Sequence, residues 1–282
     1  MIDYVAAVAT ESDRFTRAMT RGRAEAPTST IPACPDWELD DLLWHLTEVQ
    51  GFWAEVVGER LPDLSTFERA VRPESAGLAA GFDEASRRLV AVLGDADPDD
   101  ACWSWHPAGQ SVGWVRRRQA HEALIHRVDA EQAVITALGG ELSPIDAELA
   151  ADGVDELLRM MLDVRPVPEW GTWHPTGPLV RLEAVIEGDD GTAGGQTASW
   201  DVRLGRLTGT EPVDDGGGIE RDLDAIAVLD GSPPAAPDAV VRAPAVELDL
   251  WLWRRLPLEA TEATVDGDRS AVDLLVELAT LD

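Results

Sequence analysis

The chain has no lysine, so all 23 of its fixed basic side chains are arginines, set against 53 acidic ones for a formal net charge of −30. The missing lysine excludes Schiff-base catalysis by this chain and the phosphate-gripping lysine of a P-loop. The shortage of positive charge argues against a nucleic-acid or anionic-membrane partner, because a surface of this sign repels polyanions at long range. Cysteine is scarce as well. Cys34 and Cys102 are far apart and in no CxxC pattern, which supports neither a disulfide framework nor a cysteine-based zinc knuckle. No stretch reaches the ~18 uninterrupted apolar residues of a membrane helix. The N-terminal "MIDYVAAVATESDRF" breaks its apolar run with acids and lacks a basic start. These absences together predict a cytoplasmic protein.

What remains is ample for a core: 282 residues, 45% of them apolar, make one large or two ordinary domains. Val5, Val8, Phe15 and Met19 recur at helical spacing over residues 3 to 22. A second helix is expected from about 37 to 58, with Asp36 as N-cap and Glu38, Asp40 and Asp41 favourable to the helix dipole. A third follows in "ESAGLAAGFDEASRRLVAVLG". A fourth starts near Val112 and stops at Gly139-Gly140. A fifth, "SPIDAELAADGVDELLRMML", is expected to open with Ser143 as cap and Pro144 at the first helical position. Four amphipathic segments of roughly 20 residues with moderate connections read as a helical bundle.

The texture then changes. "DVRPVPEWGTWHPTGP" reads as an interdomain linker or an ordered connecting loop. Beyond it, "LVRLEAVIEG", "TASWDVRLGRL", "AIAVL" and "TEATVDGD" have strand character, interleaved with helical "PAVELDLWLWRRL" and "RSAVDLLVELATL". The "DDGGG" run at 214 to 218 reads as a loop. The expected architecture is mainly α with an α+β second domain, divided as 1–163 and 164–282.

Chemistry concentrates in "RRQAHEALIHRVDAEQA", residues 117 to 133. Glu122 and His126 are four apart, offset by roughly 40° on a helix, and so project from one face a turn apart. His121 lies roughly 140° from His126 and cannot chelate with it, so this is not an HExxH metalloprotease motif. Taken alone, this helix favours an Arg118–Glu122 ion pair with His126 packed as a core histidine. On the second helix, His45 falls among Leu42, Leu43 and Leu46, where an unpartnered imidazole is costly. One His from the second helix with a Glu and a His from the fourth make a His2Glu set, which leaves a metal position open. Asp41 and Asp129 are placed to orient the two imidazoles or, equally, to be solvated charges. The tryptophan runs "CWSWH" and "LWLWRR" read mainly as core, with Trp103 and Trp105 near enough to the fourth helix to line a pocket mouth.

"CPDWELDDLLWHLTEVQGFW" followed by "WVRRRQAHEALIHRVDAEQA" resembles the two defining helices of the mycothiol-dependent maleylpyruvate isomerase family, within the DinB and YfiT-like superfamily. The resemblance implies an N-terminal DinB-like four-helix bundle and a smaller α+β domain. It also implies a divalent metal on His45, Glu122 and His126. Zinc is the first choice, and nickel, iron and manganese are compatible with the same donors. Mycothiol is the implied thiol cosubstrate, activated as its thiolate to attack a small electrophile, in isomerisation or S-transfer. Arg118 is a candidate contact for a carboxylate of the thiol or substrate. Arg181, Arg203 and Arg206 of the second domain match no substrate arginine of the family, so the substrate stays open. Two other readings compete: a metal hydrolase using activated water, and a non-catalytic bundle that binds a metal or small ligand.

Overall fold

The computed structural model describes all residues except 108, 187–194, 214–215, 232, 234 and 280–282. They form two compact units, Met1–Pro144 and Ile145–Asp282.

The first unit holds α1 (Tyr4–Glu25), a small hairpin of β1 (Thr30–Ile31) and β2 (Cys34–Glu38), then α2 (Leu39–Gly58), α3 (Ser75–Asp95) and α4 (Val112–Leu138). The Asp3 carboxylate accepts from the Ala6 N–H at 3.0 Å and starts α1. Helix α2 starts two residues later than the expected 37, and Asp36 is not its cap. Glu38 pairs with Thr30 in the hairpin, which keeps the backbone extended through Trp37. The Glu38 N–H then donates to Asp41 at 2.9 Å, half of a capping box. Helix α4 opens on Ser111, whose hydroxyl accepts from the Trp114 N–H at 3.3 Å, and ends at Gly139 with φ +75°.

Helix α4 is covered on nearly every side, which marks it as the core helix of its unit. It packs along α1 and crosses α2, while α2 also packs on α3. Phe15, Met19, Leu39, Leu42, Leu46 and Phe82 fill the space between them. Each such fully buried side chain contributes about 2 kcal/mol. Arg127, fully buried on α4, donates to Glu11 of α1 at 2.7 Å, to Glu131 at 3.0 Å and to the Ser143 carbonyl at 3.1 Å.

The second unit begins with α5 (Ala147–Glu156), which continues into a π-helical turn, Leu157–Leu162. Helix α5 packs in this unit, so the units divide at 144/145, ahead of the 163/164 expected from the change in texture. Asp146 caps it by accepting from the Leu149 N–H at 2.8 Å. Ser143 is not the cap because its N–H donates to Glu131 and its carbonyl serves Arg127.

Among the described residues six strands follow: β3 (Gly171–His174), β4 (Leu179–Ile186), β5 (Gln196–Pro212), β6 (Gly218–Leu229), β7 (Ala239–Pro244) and β8 (Thr264–Gly267), with α6 (Ala245–Leu252) and α7 (Arg269–Leu278). The sheet runs β3-β5-β4-β7-β8, with β6 also on β5. Only β4 and β7 pair in parallel among these strands. Val180, Leu182, Trp200, Val202, Val241, Trp251 and Val272 form its core. The Pro-rich stretch after Leu162 is an ordered connection and not a linker. β3 within it pairs with β5, and Asp163 bridges to Ile226. Strand β7 was not expected, although Ala239, Val241 and Ala243 are buried alternately, as a strand requires. In the "DDGGG" run, 214 and 215 lie outside the described residues.

Candidate metal centre

The α2–α4 crossing brings three side chains together. The leucines around His45 are buried in the helical core, which leaves the imidazole at the margin of that face, 31% exposed. From α4, Glu122 and His126 reach the same point with side chains 17% and 11% exposed. His45 Nε2 and His126 Nε2 are 3.1 Å apart. Glu122 Oε1 lies 3.1 Å from His126 Nε2 and 3.4 Å from His45 Nε2.

These three atoms converge on one spot, and such a trio is held together by a proton or a cation between its members. Their separations match the edges of a tetrahedral zinc site, about 3.3 Å for ligand bonds of about 2.0–2.1 Å. The donor set therefore fits a divalent metal in chemistry and spacing. Among the described residues, His45, Glu122 and His126 form a cluster of metal-capable donors lying within 4.8 Å of one another.

The surroundings fix these three side chains. Asp129, fully buried, has Oδ2 3.0 Å from His126 Nδ1, which turns Nε2 toward the cluster. Arg118 donates from Nη2 to Glu122 Oε2 at 2.6 Å, leaving Oε1 turned toward the imidazoles. The ion pair considered for this helix thus forms, and it is compatible with the cluster. Burial opposes the charged forms of both Glu122 and His126. The His126 and Arg118 charges nevertheless hold the Glu122 carboxyl well below the usual carboxylate range. The Glu122 and Asp129 carboxylates raise His126 to about 9.

Asp41 does not play the part of Asp129 for His45. It accepts from the Glu38 backbone at 2.9 Å and from Arg72 at 2.7 Å, both of which lower its pKa. The partner of His45 is Trp37, whose ring packs 5.0 Å from the imidazole at 52°. That contact was not foreseen, although the acid-Trp start of the helix was the available signal. His121 is turned away, with the Tyr4 ring edge-on at 6.3 Å.

Trp103 stacks on Trp53 at 6.0 Å, and Trp105, 46% exposed, meets Trp114 edge-on at 5.2 Å. Trp251 is packed in the second core. The Cys102 thiol is pushed up to about 11 by burial and by Asp100, which keeps it protonated and unreactive. In the second unit, Arg181 pairs with Asp201, Arg206 with Asp222 and Asp224, and Arg203 donates to the Gly177 carbonyl. His174 lies on β3 beside Thr208, 2.9 Å away.

Comparison with known families gives two matches. Residues 5–131 match the mycothiol maleylpyruvate isomerase N-terminal domain, and residues 148–274 match the MDMPI C-terminal domain. No curated protein and no solved structure matches the chain.

Proposed function

Because this chain belongs to the mycothiol maleylpyruvate isomerase family, we propose that it is a metal-dependent enzyme that activates mycothiol for attack on a small electrophile, in isomerisation or S-transfer. In this reading, the first unit is a DinB-like four-helix bundle and His45, Glu122 and His126 hold a divalent metal, zinc foremost. The observation that carries it is the convergence of Glu122 Oε1 and the two imidazole Nε2 atoms within 3.1–3.4 Å, from two different helices.

When bound, a divalent cation supplies an open coordination position that favours a thiolate over a thiol at neutral pH. The remaining work belongs to the chain. Asp129 fixes the tautomer and tilt of His126 by taking up Nδ1. Arg118 aligns Glu122 through Oε2 and is the proposed contact for a carboxylate of the thiol or substrate. Trp37 shields one face of His45 from water. With Cys102 protonated, the attacking sulfur comes from the cosubstrate.

The test is metal content by plasma mass spectrometry on wild type, His45→Ala and Glu122→Ala, with circular dichroism to confirm folding. Near-stoichiometric metal in the wild type, lost in both folded variants, is the expected result. A wild type that carries none and cannot be reloaded with zinc, nickel, iron or manganese ends the proposal.

A further inference from the structure

Helix α3 begins beside the beginning of α2. Arg23 of α1 joins the two, donating from Nε to Asp40 at 2.7 Å and from Nη2 to the Ser75 carbonyl at 2.7 Å. The chain leaves α2 at its far end, Gly58. Residues 59–74 must therefore return along the whole of α2, roughly 30 Å at 1.5 Å per residue. The first half of this return is anchored. The Leu61 carbonyl accepts from the Trp103 N–H at 2.9 Å, and Asp63 accepts from the Ser65 N–H at 2.8 Å in a tight turn.

The second half touches α2 at two places. The Phe67 ring meets Phe52 edge-on at 4.8 Å, and Arg72 Nη1 donates to Asp41 Oδ1 at 2.7 Å. His45 follows Asp41 by four residues and Phe52 follows His45 by seven, so the three share a stripe of α2 roughly 40° wide. His45 of the donor cluster thus lies between the two contacts, on the side of the helix that the returning chain follows. Along α2, Asp41 and Phe52 are roughly 16.5 Å apart. The five steps from Phe67 to Arg72 cover that distance only when nearly extended, at about 3.3 Å per residue. By the same count Ala70 crosses the level of His45.

This taut stretch is held by its ends alone. Among the described residues, no hydrogen bond or ion pair engages Glu68, Arg69, Ala70 or Val71. All four are exposed, Val71 to 90%. A segment with so few contacts opens at low cost. Its two fastenings differ in kind. The Phe67–Phe52 contact joins half-buried rings and is indifferent to salt. The Arg72–Asp41 pair has side chains 43% and 35% exposed, and such a pair is weak and screened by salt.

We infer that residues 68–71 are a strap that sets how fast the donor cluster exchanges its metal with solution, hinged at Phe67–Phe52 and released at Arg72–Asp41. The strap acts on the metal of the preceding section and so rests on that reading. It governs the rate of exchange and not the strength of binding, because the cluster's donors all lie outside it.

The test loads the full chain with zinc and follows its transfer to excess 4-(2-pyridylazo)resorcinol, in wild type, Arg72→Met and Phe67→Ala. Equilibrium zinc affinity is measured in parallel by competition against a chromophoric chelator. At low salt Arg72→Met should release zinc about 2–5-fold faster than wild type, the worth of one exposed ion pair, with the same zinc Kd and melting temperature. Added sodium chloride should bring the wild-type rate up to that of Arg72→Met and leave the variant's rate unchanged. Phe67→Ala, which frees the other end, should also release zinc faster at an unchanged Kd. Equal rates in all three proteins overturn the strap. So does faster release matched by an equal loss of affinity, which would mean that the segment props the donors and does not gate them. A wild type that takes up no zinc overturns the metal reading itself, and the strap's role with it.

Discussion

At the scale of single residues, the centre is built by spending burial on charge. Glu122 and His126 lie on the most buried helix of their unit, where Arg118 holds the Glu122 carboxylate and Glu122 and Asp129 flank the two nitrogens of His126. Asp129→Asn keeps the shape but removes the carboxylate that orients His126. It should weaken zinc affinity by about 10–100-fold with an unchanged circular dichroism spectrum, read by competition against a chromophoric chelator. Equal affinity in wild type and variant would mean that Asp129 only fills space.

Cys102 makes the opposite case, a group kept neutral by its surroundings. Its folded pKa of about 11 lies above the ordinary thiol value. Folding therefore favours the protonated form, and that contribution to stability is complete below the ordinary thiol pKa and is lost as pH rises through about 11. Iodoacetamide at pH 8 should modify Cys34, which is half-buried, well before Cys102, with Cys102 labelling rising toward pH 11 or on unfolding. Peptide mass mapping over time reads both rates.

At the scale of elements, α4 carries most of the organisation. It supplies two of the three donors, the Asp129 and Arg118 supports, and Arg127, which ties it to α1. Removing one partner of a buried, hydrogen-bonded ion pair costs about 3–5 kcal/mol because the other charge stays buried. Glu11→Ala should therefore lower the urea midpoint strongly without altering the m value. The end of α4 gives a smaller effect: Gly139 at φ +75° takes a conformation that a Cβ disfavours, so Gly139→Ala should cost about 1 kcal/mol.

The limits of reading elements from sequence show at α2 and β3. The expected start of α2 at 37 follows the acidic cluster correctly, but the hairpin with Thr30 holds Trp37 and Glu38 extended. That pairing is a contact between separate segments and leaves no periodicity to find. Strand β3 is hidden for the same reason, since Gly171–His174 is held by register with β5 some 30 residues later. The boundaries of α1, α3 and α4, by contrast, lie close to expectation, and those of α4 follow the Ser111 cap and Gly139 in the sequence itself.

At the scale of the whole molecule, all three donors and their supports lie within the first unit, Met1–Pro144. A metal that binds the folded chain and not the unfolded one stabilises it by mass action, about 2.7 kcal/mol at a hundredfold excess over Kd. Chelation by EDTA should therefore lower the melting temperature of the wild type in calorimetry and leave that of Glu122→Ala unmoved. Equal shifts in both would place the stabilising metal elsewhere. Among the described residues no helix is long and apolar enough to cross a membrane, in keeping with the absence of any long apolar run.

The sequence by itself determined the helices, the strand-rich second half, and the shared face of Glu122 and His126, because caps, hydrophobic period and helical pitch are local properties. It also offered His45 as the third donor through the order of its motifs. Only the tertiary structure decided that His45 Nε2 comes within 3.4 Å of Glu122 Oε1. It likewise decided that Asp129 and not Asp41 lies against an imidazole nitrogen. Those outcomes depend on how two helices distant in sequence cross, and a crossing is set by the packing of whole faces, which no local pattern encodes.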